Sequence, residues 1–375
     1  MIAQPIALLG VILAAAALAF WLEGRYGWAR KAGASLLIII FGAVLSNLDL
    51  VPASSPVYSA ITGPVTSFAI VWLLLAVNLR DVFRAGPRML GAFGLAVAGT
   101  AIGALVATLL FGRHFADDAW RLGGVLTGTY AGGSVNFVAV GRAVELPESL
   151  FAASVAADNL MTAVWIAATL VLPLWLARFY PAPTHFDARP EETEAPPRHD
   201  LLEAGARDLL LLGALAAGLT VASEAIAARL PAVPPVLWLT TLALAVGQLR
   251  VVQALRGSFQ LGLLALNLFF AVIGIASRVS EILAVGIEVL WFTATVVLVH
   301  GVIVYGVGRA LRLGVRTLSV ASQAAVGGPS SALALTVARG WGRLALPGVL
   351  VGLLGYAVGN YAGLAVAAVI RGLSG

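Results

Sequence analysis

Two stretches of the sequence place residues suited to ligand binding inside otherwise apolar segments. The first, GTYAGGSVNFVAV at 128–140, contains paired glycines among hydroxyl and amide side chains. Glycines allow the backbone to leave helical geometry, and the freed carbonyl and N–H groups can hold an ion or an anionic solute with the help of half-helix dipoles. The candidate binding residues in this first motif are Thr129, Tyr130, Gly132, Gly133, Ser134 and Asn136.

The second stretch, ASQAAVGGPSSA at 321–332, repeats the paired glycines and adds a proline, which lacks an N–H and breaks a helix by itself. An alternative interpretation is that paired glycines only let helices pack closely. Two such pairs at matching places in the chain favour a binding site over packing. The candidate residues in the second motif are Gln323, Gly327, Gly328, Pro329, Ser330 and Ser331.

Asp158 is the one acid within the apolar run LFAASVAADNLMTAVWIAATLVL at 150–172. A carboxylate there is costly unless it is protonated, paired or facing water. Ser154, Asp158 and Thr162 recur every four residues and therefore share a helix face, with Asn159 beside them. These oxygens suit a hard cation such as Na⁺, and a buried carboxylate also suits proton transfer. The alternative is a structural aspartate satisfied by a helix break.

The second half of the chain has a counterpart without the acid. Its matching helix carries Asn360 alone, so a cation site would be asymmetric. His300 lies in a long apolar span, where a proton relay and a hydrogen-bonded packing role are both open. Gly355, Gly359 and Gly363 recur every four residues, which is typical of close helix packing.

Composition determines the class of protein that must position these residues. Hydrophobic residues make up 60% of the 375 residues, charged residues 11%, and the mean hydropathy is +0.97. Since soluble domains carry about 25% charged residues, the sequence predicts an integral membrane protein with apolar runs long enough for helices. The absence of cysteine excludes disulfides and thiolate sites, and the four histidines lack metal-ligand spacing. We expect no cofactor, no metal beyond an alkali cation and no nucleic-acid partner.

Twelve apolar segments are separated into two sets of six by a polar linker rich in proline, glutamate and arginine. The predicted organisation is a first transmembrane repeat at 1–177, a linker at 178–207 and a second transmembrane repeat at 208–375. The predicted segments lie near 5–22, 33–47, 57–79, 89–111, 121–140, 149–177, 208–227, 234–248, 258–276, 283–308, 317–338 and 345–370.

Basic residues favour an inverted arrangement of these repeats. If each paired-glycine segment is a re-entrant hairpin that enters and leaves on one side, each half has five spans, and 17 basic residues lie on the cytoplasmic side against 6 outside. A broken crossing helix, with a different segment failing to span, would give similar parity. This count places both termini outside the cell (inner) membrane and the 178–207 linker in the cytoplasm. The cytoplasmic set is Arg25, Arg30, Lys31, Arg80, Arg84, Arg88, Arg178, Arg189, Arg198, Arg207, Arg250, Arg256, Arg309, Arg312, Arg316, Arg339 and Arg343; the outer set is Arg113, Arg121, Arg142, Arg229, Arg278 and Arg371.

With LTGTYAGGSVNFVAV at 126–140, AADN at 156–159, ASQAAVGGPSSA at 321–332 and GYAVGN at 355–360, the sequence resembles the membrane family called domain of unknown function 819. That family is distantly similar to glutamate–sodium and bile-acid–sodium symporters and to cation/proton antiporters. The resemblance implies inverted repeats, a core domain moving against a scaffold domain, and elevator-like alternating access. Gln323 and Ala325 stand where the family usually has asparagines, which puts contacts made by those amides in doubt.

Together these patterns predict a secondary active transporter that couples a small organic solute, with organic anions among the candidates, to Na⁺ or H⁺. An exporter or exchanger of the same fold is an alternative, as is a membrane receptor or assembly factor that does not transport. No pair of catalytic groups is apparent, so we do not expect an enzyme. The expected partners are the lipid bilayer, the solute and a second copy that forms a homodimer through the scaffold domain.

The topology is testable by cysteine labelling, because the native chain has no cysteine to react. Thr193→Cys in the predicted cytoplasmic linker should resist a membrane-impermeant maleimide in intact cells, while a cysteine at Gly375 should react. Labelling of the linker alone would contradict the orientation, and equal labelling of both positions would contradict the inverted parity.

Overall fold

The computed structural model describes residues 4–52, 54–180, 204–231, 233–276 and 279–374, and these residues form helices and no strand. Before the linker the helices are α1 (Pro5–Arg25), α2 (Gly27–Ala32), α3 (Ala34–Asn47), α4 (Pro56–Ala60), α5 (Thr66–Leu75), α6 (Leu79–Val82), α7 (Pro87–Phe111), α8 (Ala119–Gly132), α9 (Ser134–Ala143) and α10 (Glu148–Leu176). After it come α11 (Ala206–Arg229), α12 (Pro235–Gly247), α13 (Arg250–Gln253), α14 (Ser258–Ala276), α15 (Val279–Ala310), α16 (Val315–Arg339) and α17 (Gly342–Ser374).

Eight helices in the described part of the chain are long and apolar enough to cross a membrane, which confirms the predicted all-α polytopic class. They are Pro5–Arg25, Pro56–Leu75, Pro87–His114, Glu148–Phe179, Ala206–Arg229, Ser258–Ala276, Gly286–Ala310 and Gly342–Leu373. Helices α3 and α12 are apolar but shorter. Most of the predicted linker lies outside the described residues, and α11 already begins at Ala206, just inside the predicted linker.

The third predicted span, 57–79, differs from the observed helix. Because Pro64 has no N–H to donate, the segment Ile61–Val65 widens into a π turn, and the Ile61 carbonyl accepts from both the Thr66 N–H and the Thr66 hydroxyl, the latter at 2.6 Å. The helix ends at Leu75, and Asn78 then caps the next short helix by accepting from the Arg80 N–H at 3.0 Å. The observed span is thus irregular at its start and shorter at its end.

In order along the chain, α1, α3, α5, α7, α8 and α10 of the first half correspond to α11, α12, α14, α15, α16 and α17 of the second half. Contacts between the halves occur in matching pairs. The cross-half contacts are α3 with α14 and α12 with α5; α8 with α17 and α16 with α10; α7 with α17 and α15 with α10; and α1 with α14 and α11 with α5. Three pairs of corresponding helices also contact each other directly: α7 with α15, α5 with α14, and α8 with α16. In each matching pair, replacing both helices of one contact by their counterparts in the other half gives the second contact.

Small residues permit the closest of these crossings. Gly42 of α3 and Gly274 of α14 each face the backbone of the other helix, and a Cβ on Gly103 of α7 would lie 2.6 Å from the Val296 carbonyl oxygen of α15. Backbones that approach this closely gain van der Waals contact that does not depend on water, which suits helices in lipid.

Helix α16 folds back on itself at Gly328. Gly328 has φ 76° and ψ −172°, and the guanidinium carbons of Arg316 and Arg339, near opposite ends of the helix, lie 5.9 and 5.3 Å from the ring centre of Trp341. A straight helix would separate these residues by about 35 Å. Val315–Arg339 is therefore a helical hairpin, called hairpin 2 below.

Helices α8 and α9 form the corresponding hairpin, called hairpin 1 (Ala119–Ala143), with its turn at Gly133 (φ 82°, ψ −169°). A Cβ on Gly128 in the first arm would lie 3.0 Å from Val140 Cγ2 in the second arm, and both residues border Gly363. In a straight helix they would be about 18 Å apart. The direction of the chain therefore reverses at Gly133 as it does at Gly328.

Helix α17 lies along both hairpins and brings their tips together. Near its start, Gly348 faces Val320 and Ala332, one from each arm of hairpin 2. Further along, the glycines of α17 contact first the tip of hairpin 2, at Pro329, and then hairpin 1 from its tip towards its base. The two hairpins therefore extend from opposite ends of α17 and meet near its middle. The close packing predicted for Gly355, Gly359 and Gly363 is confirmed, since all three face hairpin 1.

The reversal at Gly328 can be tested with paired cysteines. In an Arg316→Cys/Arg339→Cys variant, a short bifunctional maleimide should join the two thiols, since both arms end beside Trp341. The control pair Arg316→Cys/Arg371→Cys should not be joined, because Arg371 lies beside Trp120 near the opposite end of α17. Mass spectrometry of the digested product identifies the link. Absence of the 316–339 link, with both thiols reactive, would contradict the hairpin.

Candidate functional site

The tip of hairpin 1 presents a fixed amide oxygen. A Cβ on Gly132 would overlap the Asn136 side chain and the Gly355 carbonyl, so only glycine fits. Asn136 Nδ2 donates to that carbonyl at 2.9 Å, which determines the orientation of the amide. Asn136 Oδ1 is left buried without a hydrogen-bond partner. Hairpin 1 therefore carries an acceptor that its own protein surroundings do not satisfy.

The tip of hairpin 2 carries a buried amide as well. The Ser331 hydroxyl lies 3.2 Å from the Gln323 carbonyl oxygen and 3.0 Å from that of Gly328, so it bridges the turn. Gln323 Oε1 accepts from the Thr169 hydroxyl at 3.0 Å, whereas Gln323 Nε2 is buried without a partner. A Cβ on Gly327 would lie 2.7 Å from this nitrogen, which places it against the paired glycines.

A new helix arm begins directly after each turn. The first N–H groups of a helix have no intrahelical acceptor and form the positive end of the helix dipole. Ser134 opens the second arm of hairpin 1 and is exposed; in hairpin 2 the second arm begins at Pro329, which has no N–H, and Ser330 is exposed. Each tip thus carries the positive end of a helix dipole and an exposed serine.

Tyr356 of α17 lies between the two tips. A Cβ on Gly133 would be 3.6 Å from Tyr356 Cε1, and a Cβ on Gly328 would be 4.0 Å from Tyr356 Oη. The ring stacks loosely on Phe259 of α14, with centroids 6.5 Å apart at 23°. The side chain is half-buried, and its hydroxyl lies beside the tip of hairpin 2.

Asp158 of α10 lies beside Tyr130 of hairpin 1. Its carboxylate is close to the hydroxyls of Tyr130 and Thr162, but Asp158 Oδ1 and Tyr130 Oη are both buried without a hydrogen bond of normal geometry. Ser154, on the same face of α10, is fully buried and its Oγ also lacks a partner. The face predicted from the four-residue spacing therefore carries oxygens without a normal hydrogen bond, with Tyr130 beside it from hairpin 1.

The remaining predicted residues lie in the helices around the site. Thr129 is buried within the first arm of hairpin 1. Asn159 donates to the Val155 carbonyl of its own helix at 3.0 Å and lies near Gly33, between α2 and α3. Asn360 Nδ2 donates to Thr240 Oγ1 of α12 at 2.8 Å, and Asn360 Oδ1 is buried without a partner. The two asparagines thus face helices outside the hairpins.

Several of the residues predicted from the sequence carry a buried side-chain atom without a hydrogen-bond partner, as do some residues elsewhere in the described part of the chain. A buried polar group without a partner costs about 1–3 kcal/mol. Such atoms occur at six of the residues predicted from the sequence: Tyr130 Oη, Asn136 Oδ1, Ser154 Oγ, Asp158 Oδ1, Gln323 Nε2 and Asn360 Oδ1. Among the described residues no group of histidine, cysteine and acidic side chains is arranged to hold a metal ion. The chemistry is therefore that of neutral oxygens and amides with one carboxylate.

Sequence reasoning did not single out Tyr356 as a site residue. The signal was available, because a phenolic hydroxyl in the middle of the last apolar span is a polar group at membrane depth, as Asp158 is in its own span. Its position between the tips depends on how α17 packs against both hairpins, which a single span does not show.

The helical hairpins, the long apolar helices and the polar residues enclosed among them define a multi-pass α-helical membrane protein. The chain matches the family model "Protein of unknown function (DUF819)" over residues 10–373, and it belongs to that family. It is also similar to the "Uncharacterized membrane protein YjcL" of Bacillus subtilis (strain 168), with 29% identity over 374 residues and 94% of each chain covered. The resemblance to this family, noted on the sequence motifs, is confirmed.

The tip geometry predicts the effect of adding a single methyl group. Gly132→Ala should lower the apparent melting temperature of the purified protein by several degrees, because overpacking against Asn136 and Gly355 costs about 1–3 kcal/mol. Gly213→Ala is the matched control, since no atom lies within 4 Å of a Cβ at Gly213. It should leave the melting temperature unchanged or slightly raised. Equal responses of the two variants would contradict the close contact at Gly132.

Proposed function

We propose that this protein is a cation-coupled secondary active transporter for a small organic solute. The observation that carries the proposal is the meeting of two hairpin tips at the middle of α17, with unpartnered polar atoms around them. Non-helical backbone at membrane depth is tolerated where protein covers it or where it lines a polar cavity. In transporters such interrupted helices hold the substrate and the coupling ion.

The arrangement of the helices supports inverted repeats. Outside the hairpins each half has four of the eight long apolar helices and one shorter helix, which gives five potential spans per half. With an odd number of spans the second repeat has the opposite orientation to the first. Hairpins that extend from opposite ends of α17, and helices that pack in matching pairs, are the arrangement such repeats would produce.

Core and scaffold assignments follow from the same packing. Helices α7, α10, α15 and α17 surround the two hairpins and form the proposed core. Helices α1, α3, α5, α11, α12 and α14 pack mainly on one another and form the proposed scaffold, where a second copy would dimerise. Side-chain hydrogen bonds between the two groups include those of Asn360 with Thr240, Tyr361 with Thr241, and Arg142 with Ser67. In the proposed elevator-like movement, the core would slide along this interface.

Arginine and tryptophan mark the two ends of the proposed core. Trp341 lies between Arg316 and Arg339 at the base of hairpin 2, and Trp120 lies beside Arg121 and Arg371 at the base of hairpin 1. Aromatic and basic side chains favour the membrane interfaces. The excess of basic residues predicted for the cytoplasmic side, 17 against 6, supports a cytoplasmic position for the base of hairpin 2 and an outer position for the C-terminus.

Asp158 is the proposed coupling residue. It combines a carboxylate with the nearby hydroxyls of Tyr130 and Thr162, and oxygen donors of this kind bind Na⁺ or exchange a proton. The tips offer the complementary chemistry, since helix N-termini, serine hydroxyls and Gln323 Nε2 favour a negatively charged group of the solute. We therefore propose an anionic or zwitterionic solute at the tips and the cation at Asp158.

The proposal predicts that Asp158→Asn uncouples transport. A thermal-stability screen of the purified protein first identifies solutes that bind, because a ligand raises the apparent stability of the folded state. In proteoliposomes the wild-type protein should then accumulate that solute in response to an inward Na⁺ or proton gradient. Asp158→Asn should lose this gradient-driven accumulation and retain weaker solute binding, because coupling is a free energy shared by two sites.

Asp118→Asn is the matched control: it makes the same chemical change at an ion pair with Arg121, outside the site, and should leave coupling intact. Accumulation by Asp158→Asn equal to that of the wild type would remove Asp158 from the mechanism. A receptor or assembly factor would bind the solute without accumulating it under either gradient.

A further inference from the structure

A chain of side-chain hydrogen bonds connects the two hairpins through the protein interior. Trp165 Nε1 donates to Ser322 Oγ at 3.0 Å, and Ser322 Oγ lies 2.8 Å from His300 Nε2. On the other side of the ring, His300 Nδ1 lies 2.9 Å from Thr100 Oγ1, which in turn lies 3.2 Å from the carbonyl oxygen of Tyr130. All five residues are buried.

One tautomer of His300 satisfies the whole chain of hydrogen bonds. An indole N–H only donates, so Ser322 Oγ accepts from Trp165; with the ring hydrogen on Nδ1, Ser322 donates its own hydrogen to His300 Nε2. In this tautomer His300 Nδ1 donates to Thr100 Oγ1, which leaves the Thr100 hydrogen for the Tyr130 carbonyl. With one proton on the His300 ring, every donor and acceptor in this chain of hydrogen bonds has a partner. A second proton on Nε2 would leave the Ser322 hydrogen without its acceptor.

The last bond satisfies a carbonyl that the hairpin turn has left free. In an uninterrupted helix the Tyr130 carbonyl would accept from the N–H four residues later, but the turn at Gly133 ends α8 at Gly132. Thr100 Oγ1 is near the Ala96 carbonyl, at 3.1 Å, as well as that of Tyr130. Because Ala96 lies inside the continuous helix α7, the Tyr130 carbonyl is the one that lacks a backbone donor.

The histidine is held in place by its neighbours. The ring of Trp165 packs edge-on against the His300 ring, with centroids 5.6 Å apart at 84°. A Cβ on Gly301 would overlap the Trp165 ring, and a Cβ on Gly99 would lie 3.3 Å from the His300 carbonyl oxygen. The ring therefore occupies a fitted position between α7, α10 and α16, where rotation away from either partner is restricted.

We propose that His300 is a positioning residue that couples the two hairpins. Through Ser322 it is connected to the first arm of hairpin 2, and through Thr100 it supports the end of α8 at the tip of hairpin 1. Movement of one hairpin is transmitted to the other, and Tyr130 is kept beside Asp158. Its use in transport rests on the proposed function, but the coupling itself is a property of the protein without a solute.

The test measures communication between the exposed serines at the two tips in the naturally cysteine-free chain. Reporter variants Ser134→Cys and Ser330→Cys are purified, and their rates of reaction with N-ethylmaleimide are measured. Ser322→Ala, in hairpin 2, should change the rate at position 134 in hairpin 1 by about fivefold or more, the lower end of typical coupling between sites. Thr100→Val should change the rate at position 330 to a similar extent.

Three comparisons distinguish coupling between the two hairpins from a general loss of packing in the protein. Thr293→Val removes a buried hydroxyl from the same helix as His300, where it bonds only within that helix, and should change neither rate. His300→Gln retains an acceptor and a donor and should restore most of the coupling that His300→Leu removes. The double variant Ser322→Ala/Thr100→Val should have no larger effect than either single change, because both interrupt one chain.

Two results would overturn the proposal. One is a Ser322→Ala variant that changes the rate at position 330 but not at position 134, which would confine its effect to hairpin 2. The other is a pair of independent, additive effects in the double variant. Since no solute or gradient is used, neither result depends on whether the protein transports.

Discussion

A backbone that leaves helical geometry within a membrane must have its polar groups covered, and the structure is organised around that constraint. At Gly133 and Gly328 the chain reverses with nearly the same dihedral angles, which frees N–H and carbonyl groups on both sides of each turn. Protein groups satisfy part of this need. Thr100 reaches the Tyr130 carbonyl, and the Ser331 hydroxyl bridges the second turn. Asn136 Oδ1 and Gln323 Nε2, near the two tips, remain without a partner, and the tips are where we propose that the solute binds.

Helix α17 makes the meeting of the tips feasible because its glycines let both hairpins approach its backbone. The counterpart helix α10 has larger and more polar residues along its length, including Asp158 and Trp165, and contacts hairpin 2 through side chains. The two halves therefore have matching helix packing, but α10 and α17 differ in their side-chain chemistry. One helix provides the wall against which both tips close, and the other provides the carboxylate. This difference is consistent with the asymmetric cation site expected from the sequence.

The sequence predicted the helix interruptions and the polar face of α10 well, because each depends on residues that are close together in the chain. Paired glycines and Pro329 are sufficient to indicate where a helix is interrupted, and the four-residue spacing of Ser154, Asp158 and Thr162 places them on one face. Contacts between distant segments could not be predicted in this way. Asn136 bonds to Gly355, 219 residues away, and Thr100 lies against His300, 200 residues away. The choice between a hairpin and a broken crossing helix, the position of Tyr356 and the role of His300 all depend on such packing.

The most direct test of the central claim is an experimental density map of the purified protein that resolves ordered ions and water, with the best-stabilising solute and cation present. The account predicts reversed chains at Gly133 and Gly328, and non-protein density beside the Tyr356 hydroxyl within hydrogen-bonding distance of the unpartnered atoms at the tips. A helix that continues straight through either glycine would contradict it. So would tips that close on each other with Asn136 Oδ1, Gln323 Nε2 and Asp158 Oδ1 all paired within the protein.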